Sequence, residues 1–175
     1  PHMGIYVFFS LYLDAVGYSK TMIGAMWAVS VIVEIGWFLT QSYWLPRLSL
    51  TAWLVLCGAT MVARLGITAA SASVLSLLVF AQVLHAFTFA AHHTVCIALL
   101  SHHFAGRLRG RGQALYTVIG YGFTGVIGGL AGGALSSRYG LSSVYWASAL
   151  MAVLGTLCAH RVWRMQHPKQ ARTMP

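Results

Sequence analysis

Acidic residues are almost missing from this chain. Asp14 and Glu34 are the only two in 175 residues, and charged residues of either sign make up 7%. A soluble domain carries about 25%, so a water-facing surface cannot be assembled from what is present. Paired acid–base chemistry also has almost no material, because Asp14 sits in a connecting segment and leaves Glu34 alone. An enzyme is therefore not expected. Cysteine is scarce as well. Cys57, Cys96 and Cys158 fall in three different apolar runs, with no CxxC spacing and no disulfide framework, and read as free, buried, small hydrophobes. The start, Pro1-His2-Met3, carries no basic n-region and is followed by no small-residue cleavage site, so no signal peptide is expected. Opening on proline in an apolar run reads as a fragment or an expression scar.

What is abundant is apolar: 58% of residues are hydrophobic. The solvent for most of the chain is lipid, and the fold class expected is an all-α polytopic membrane protein. The formal net charge is +9. On a soluble protein that would mark a nucleic-acid surface, but here the basic residues lie mainly between and after the apolar runs. They report topology, and no nucleic-acid partner is expected.

Six runs are candidate transmembrane helices: 4–13, 22–41, 49–69, 74–103, 113–136 and 143–163. The first is short, and the fourth is long enough to tilt or protrude. They predict one six-helix unit over 1–163, followed by a basic tail at 164–175. Segments 14–20, 71–73 and 137–142 fall on one side, with Lys20 and Arg138. Segments 43–48, 105–112 and the tail fall on the other, with Arg47, Arg107, Arg109, Arg111, Arg161, Arg164, Lys169 and Arg172. The positive-inside rule puts the richer side, and both ends of the chain, in the cytoplasm. The cluster Arg107-Leu108-Arg109-Gly110-Arg111 reads as a topology anchor on lipid phosphates, or as a gating ion-pair partner. In the fifth run, GYGFTGVIGGLAGG at 120–133, Gly125, Gly129 and Gly133 recur every four residues, and so do Gly128 and Gly132. That spacing predicts close helix packing in lipid, not a phosphate loop.

Ionisable groups inside a span cost about 2.5–3.5 kcal/mol each even on insertion scales, so they face protein or a water cavity. Glu34 and Arg64 are the two such groups, on neighbouring spans. They read as a structural ion pair, or as a site where Glu34 takes up a proton under the influence of Arg64. The stretch HAFTFAAHHTVCIALLSHH at 85–103 holds five histidines and no charged residue. On a regular helix His85, His92, Cys96 and His103 form one polar stripe, with His85 and His92 about 10 Å apart. His93 points away from it, and His102 and His103 lie at the membrane edge. His85 and His92 suit proton or substrate contact, since imidazole exchanges protons near neutrality, or serve as interhelical hydrogen-bonding groups. A soft metal on His92 and Cys96 is the competing idea, but few further ligands are at hand, and no metal or cofactor is expected.

Glu34, Arg64 and His85, with the stretches SLYLDAVGYSKTMIGAMWAVSVIVEI, HAFTFAAHHTVCIALL and HHFAGRLRGRGQALYTVIGYGFTGVIGGLAGG, resemble the C-terminal half of a major facilitator superfamily transporter. The branch resembled is that of proton symporters for phenylpropionate, oligosaccharides and nucleosides. The resemblance implies a half-fold of two three-helix repeats, a missing N-terminal six-helix half, and a substrate held between the halves at the bilayer midplane. It further implies that Glu34, Arg64 and His85 belong to the proton and substrate machinery, as in the sugar carriers of the superfamily. Thr88 stands where those carriers have a further glutamate, three residues after the histidine. The function expected is proton-coupled transport of a small organic solute across a bacterial inner membrane, with an aromatic acid such as phenylpropionate as an example. Arg64 and the aromatic residues Tyr6, Phe9, Trp27 and Phe87 would suit it. The alternative is a membrane scaffold or sensor that transports nothing.

Overall fold

A computed structural model describes residues 2–166, with side chains from Tyr6 onward. The predicted tail lies outside the described residues from position 167. Among the described residues there are helices and no strands, as a backbone with no water to bond must arrange. Helix α1 covers His2–Val16, α2 Lys20–Trp44, α3 Leu50–Ala70, α4 Leu75–Val83, α5 His92–His103, α6 Arg109–Thr117, α7 Thr124–Tyr139 and α8 Ser142–Gln166. Helices α4 and α5 are halves of one rod joined through a π-helical turn, Ala86–Ala91, and α6 and α7 are joined by a second, Val118–Phe123.

Five rods are long and apolar enough to cross a membrane: Lys20–Arg47, Leu50–Ala70, Leu75–His103, Gly106–Tyr139 and Ser142–Gln166. The predicted first span is a shorter apolar helix, Tyr6–Val16, so the expected six become five and a short one. The fifth rod starts earlier than expected, because Arg109 and Arg111 already lie in α6 and Arg107 in the short 3₁₀ turn before it. The arginine cluster is a helix start and not a loop.

Local chemistry fixes the ends. Ser19 and Ser49 cap α2 and α3, each hydroxyl accepting an N–H three residues on at 3.2 Å. Gly17 and Gly140 adopt φ of +102° and +80° where α1 and α7 stop, a region open chiefly to glycine. Lys20 and Asp14 form an exposed ion pair of 2.6 Å across the first connection.

The principal core joins α1, α2, α3, α4 and α8 through Phe9, Leu13, Met26, Leu65, Leu78 and Tyr145. A second cluster, Trp37, Trp53, Cys57, Ala90, Ala91 and Val95, lies beside it. The α6–α7 rod is scarcely buried; Gly132 is the only buried residue of α7. A Cβ on Gly132 would meet Phe8 of α1, whereas Gly129 and Gly133 face open space. Among the described residues it is Gly132, of the other glycine row, that packs against a neighbouring helix. Cys57 is buried as expected, but Cys96 is half-buried and Cys158 exposed.

The tightest approach of two rods is α3 on α8. A Cβ at Gly58 would lie 2.5 Å from Thr156 Oγ1 and 3.2 Å from its Cβ, so the branched Thr156 side chain, held close to its own backbone, stands in the way. Gly58→Val is expected to cost about 1–3 kcal/mol by overpacking. Gly66→Val, on the same helix with nothing within 4 Å of its added carbon, is the control. Thermal unfolding in detergent checks this, and equal melting temperatures would refute the close-approach account.

Candidate functional site

Ser30 and Glu34 are four apart on α2, so they share a face. Arg64 lies in the second half of α3, and Gln82, His85 and Thr88 recur every three residues from α4 into the first π turn. The packing of α2 and α3 against this rod brings all six together. Arg64, His85, Gln82, Thr88 and Ser30 are buried, while the Glu34 side chain keeps 23% of its surface exposed.

Arg64 is at the centre and is entirely buried. Its Nη1 lies 2.9 Å from His85 Nδ1 and donates to Thr88 Oγ1 at 2.9 Å, while Nη2 donates to Gln82 Oε1 at 3.1 Å. Ser30 donates to the same Gln82 oxygen at 2.6 Å. On the far side of the imidazole, His85 Nε2 stands 3.5 Å from Glu34 Oε2. Guanidinium can only donate, so Nδ1 presents its lone pair to Arg64 and the ring hydrogen sits on Nε2, aimed at the carboxylate. The predicted ion pair of Glu34 and Arg64 is thus an ion pair with His85 between its members.

The predicted stripe of His85, His92, Cys96 and His103 is broken. The π turn adds a residue to one helical turn, which rotates everything after it by about 100°. The column continuing from His85 is Phe89 and then His93: His85 stacks on Phe89 at 5.2 Å and Phe89 on His93 at 6.1 Å. His93 pairs with the Tyr121 hydroxyl of the second π turn at 3.2 Å. His92 is turned out of the relay, 3.7 Å from Cys96 Sγ. His102 and His103 are exposed at the end of α5, as expected. Among the described residues no three His, Cys, Asp or Glu side chains cluster as metal ligands.

Aromatic groups flank the relay. Tyr6 stacks on Trp27 at 5.8 Å and meets Phe89 edge-on at 6.1 Å. Of the aromatics expected at a solute site, Tyr6 and Trp27 lie beside the relay, with Tyr6 edge-on to His85 at 6.5 Å. Phe9 is fully buried, and Phe87 faces Trp37 and Trp53 on the opposite side of the rod. Arg107, Arg109 and Arg111 are exposed, and among the described residues none forms an ion pair. Gln82, Ser30 and Phe89 were not foreseen. A lone glutamine in the apolar run LSLLVFAQV was the available signal.

Helices this apolar on the outside, enclosing a charged relay, define an integral membrane protein. The family described as the MFS_1 like family matches residues 2–147, and the chain belongs to it. It is 30% identical over 155 residues to the probable 3-phenylpropionic acid transporter of Escherichia coli (strain K12), an alignment covering 87% of this chain. The chain spans 39% of that relative's length, which fits one half of such a protein. No solved structure matches the chain.

Arg64→Ala would strip Thr88, Gln82 and His85 of a donor and Glu34 of its counter-charge at once. It is expected to cost about 3–5 kcal/mol, the scale for breaking a buried charge pair. Glu34→Gln, at a partly exposed site and with an amide oxygen still able to accept from His85, should cost clearly less. Unfolding midpoints in detergent compare the two, and equal losses would show that Arg64 does not organise the site.

Proposed function

We propose that this chain is one half of a proton-coupled carrier that moves a small organic acid across a membrane by alternating access. The observation that carries the reading is the buried relay Arg64–His85–Glu34. Family membership and the printed name of the relative support transport, and that name is the reason we take an aromatic acid such as phenylpropionate as the solute class. The partner half, the bacterial inner membrane and cytoplasmic ends complete the proposal. The scarcely buried α6–α7 rod is one face on which such a half would pack.

The relay suggests how a proton and an anion travel together. A second proton on His85 would sit on Nδ1, directly against an Arg64 N–H, placing two donors and two like charges face to face. An incoming proton therefore goes to Glu34, which is also the partly exposed member of the relay. Neutral Glu34 no longer balances Arg64. A carboxylate solute then supplies the missing negative charge, so one proton and one monoanion leave the net charge of the site unchanged. Loaded and empty sites differ in their preference for the two facings of the carrier, which is what couples a gradient to movement.

Membrane vesicles with an imposed pH gradient test this with labelled 3-phenylpropionate. Glu34→Gln is expected to lose gradient-driven accumulation and to keep exchange of internal for external solute. Accumulation that survives in Glu34→Gln would remove Glu34 as proton carrier. No accumulation by the unaltered protein with its partner half present would return the scaffold reading.

A further inference from the structure

Bounded by α3, α5, the α6–α7 rod and α8 is a cavity of about 450 Å³, within the range of small-molecule sites. No Asp, Glu, Lys or Arg contributes to its wall. Most hydroxyls on that wall are already engaged: Thr156 donates to the Ala152 carbonyl at 2.7 Å, Thr124 to the Gly120 carbonyl, and Tyr121 pairs with His93. What remains open is chiefly apolar.

Both π turns of the described chain border this one cavity. The first contributes Thr88 and Phe89, the second Gly120 and Tyr121. π turns are rare and gather at functional sites.

Two residues belong both to the cavity and to the relay. Phe89 stacks on His85 and lines the cavity. Thr88 accepts from Arg64 through Oγ1 and lines the cavity. A hydroxyl that accepts keeps its own hydrogen to give, and with Arg64 behind it that hydrogen favours an anionic acceptor.

We propose that this cavity is the recognition pocket for the apolar body of the carried acid: an arene occupies it, and the acid's carboxylate accepts the Thr88 O–H. The assignment rests on the carrier reading above and adds to it where the solute lies and what selects it. It places the arene within this chain's own helices and keeps the carboxylate one hydroxyl away from Arg64.

Cys96 lines the cavity and Cys158 does not, so the chain carries a probe and an internal control. Alkylation of the unaltered protein in its membrane by N-ethylmaleimide, followed residue by residue by mass spectrometry, reads occupancy. At ten times its dissociation constant, 3-phenylpropionate should slow alkylation of Cys96 about tenfold by mass action, and that of Cys158 not at all. The uncharged 3-phenylpropan-1-ol should protect Cys96 too, at higher concentration. Gly155 offers a second measurement, because a carbon added there meets nothing within 4 Å and projects from the cavity wall. Gly155→Val should weaken 3-phenylpropionate binding about tenfold or more, the scale of steric discrimination in an apolar pocket. Cys96 alkylation unaffected by either compound, or unchanged binding in Gly155→Val, overturns the pocket. Protection of Cys96 without any proton-driven uptake upholds the pocket and removes the carrier reading. Glu34-dependent uptake with Cys96 unprotected does the reverse.

Discussion

A guanidinium with no exposed surface, within a membrane helix, is the constraint around which these helices are arranged. Taking such a charge from water costs several kcal/mol even after relaxation. The cost is offset only if acceptors converge on Arg64 from other helices. Gln82, His85 and Thr88 do so from one rod, at three-residue spacing, and Ser30 of α2 holds the Gln82 oxygen in place. None of these acceptors carries a full negative charge. That comes from Glu34, passed through an imidazole whose two nitrogens face opposite partners. The docking of α2, α3 and the α4–α5 rod is thus fixed by hydrogen-bonding geometry as much as by the apolar clusters on either side.

The π turns are the second constraint, and they act on register. Without the turn at Ala86–Ala91, His85 and His92 would share a face, and the histidines of α5 would extend the relay toward the membrane edge. With it, His85 is followed by Phe89 and His93, and an aromatic column leads from the relay to Tyr121 on the second π turn. His92 and Cys96 are turned onto the cavity wall instead. One extra residue in one helical turn separates a charged region from an apolar one along the same rod.

Much of this was legible in the sequence, because lipid imposes simple rules. The shortage of charge gave the class, and the apolar runs gave the rods to within a few residues, apart from the short first helix and the early start of the fifth rod. Glu34, Arg64 and His85 stood out because hydrocarbon makes such residues conspicuous, and the structure does bring them together. Two things were not legible. A π turn has no composition signature: AFTFAA reads as ordinary helix, so an extrapolated 3.6-residue period put His85, His92 and Cys96 on one stripe, whereas Phe89 and His93 continue the column from His85. Neutral polar residues were the other gap. Gln82 and Ser30 are cheap enough in a span to pass unnoticed singly, and their importance appears only when three rods are placed side by side.

The same scarcity that defined the class narrows the chemistry of the site. Of the two carboxylates, Asp14 is engaged with Lys20 at the exposed turn between α1 and α2, so Glu34 is the single acid among the spanning rods. Any balancing of Arg64 by a fixed negative charge within this chain has to pass through His85, and His85 can pass it only in the tautomer that Arg64 itself enforces. A carboxylate arriving with a solute meets no such restriction, since it can approach through Thr88, which accepts from the same Arg64 Nη1 that faces His85. Two anions then have two separate paths to one cation. In the proposed cycle they need not displace each other physically; they alternate because a buried single positive charge stabilises one nearby negative charge far better than two. Exclusion by charge, rather than by collision, is the form of coupling that a site with one arginine, one histidine and one glutamate is equipped to provide.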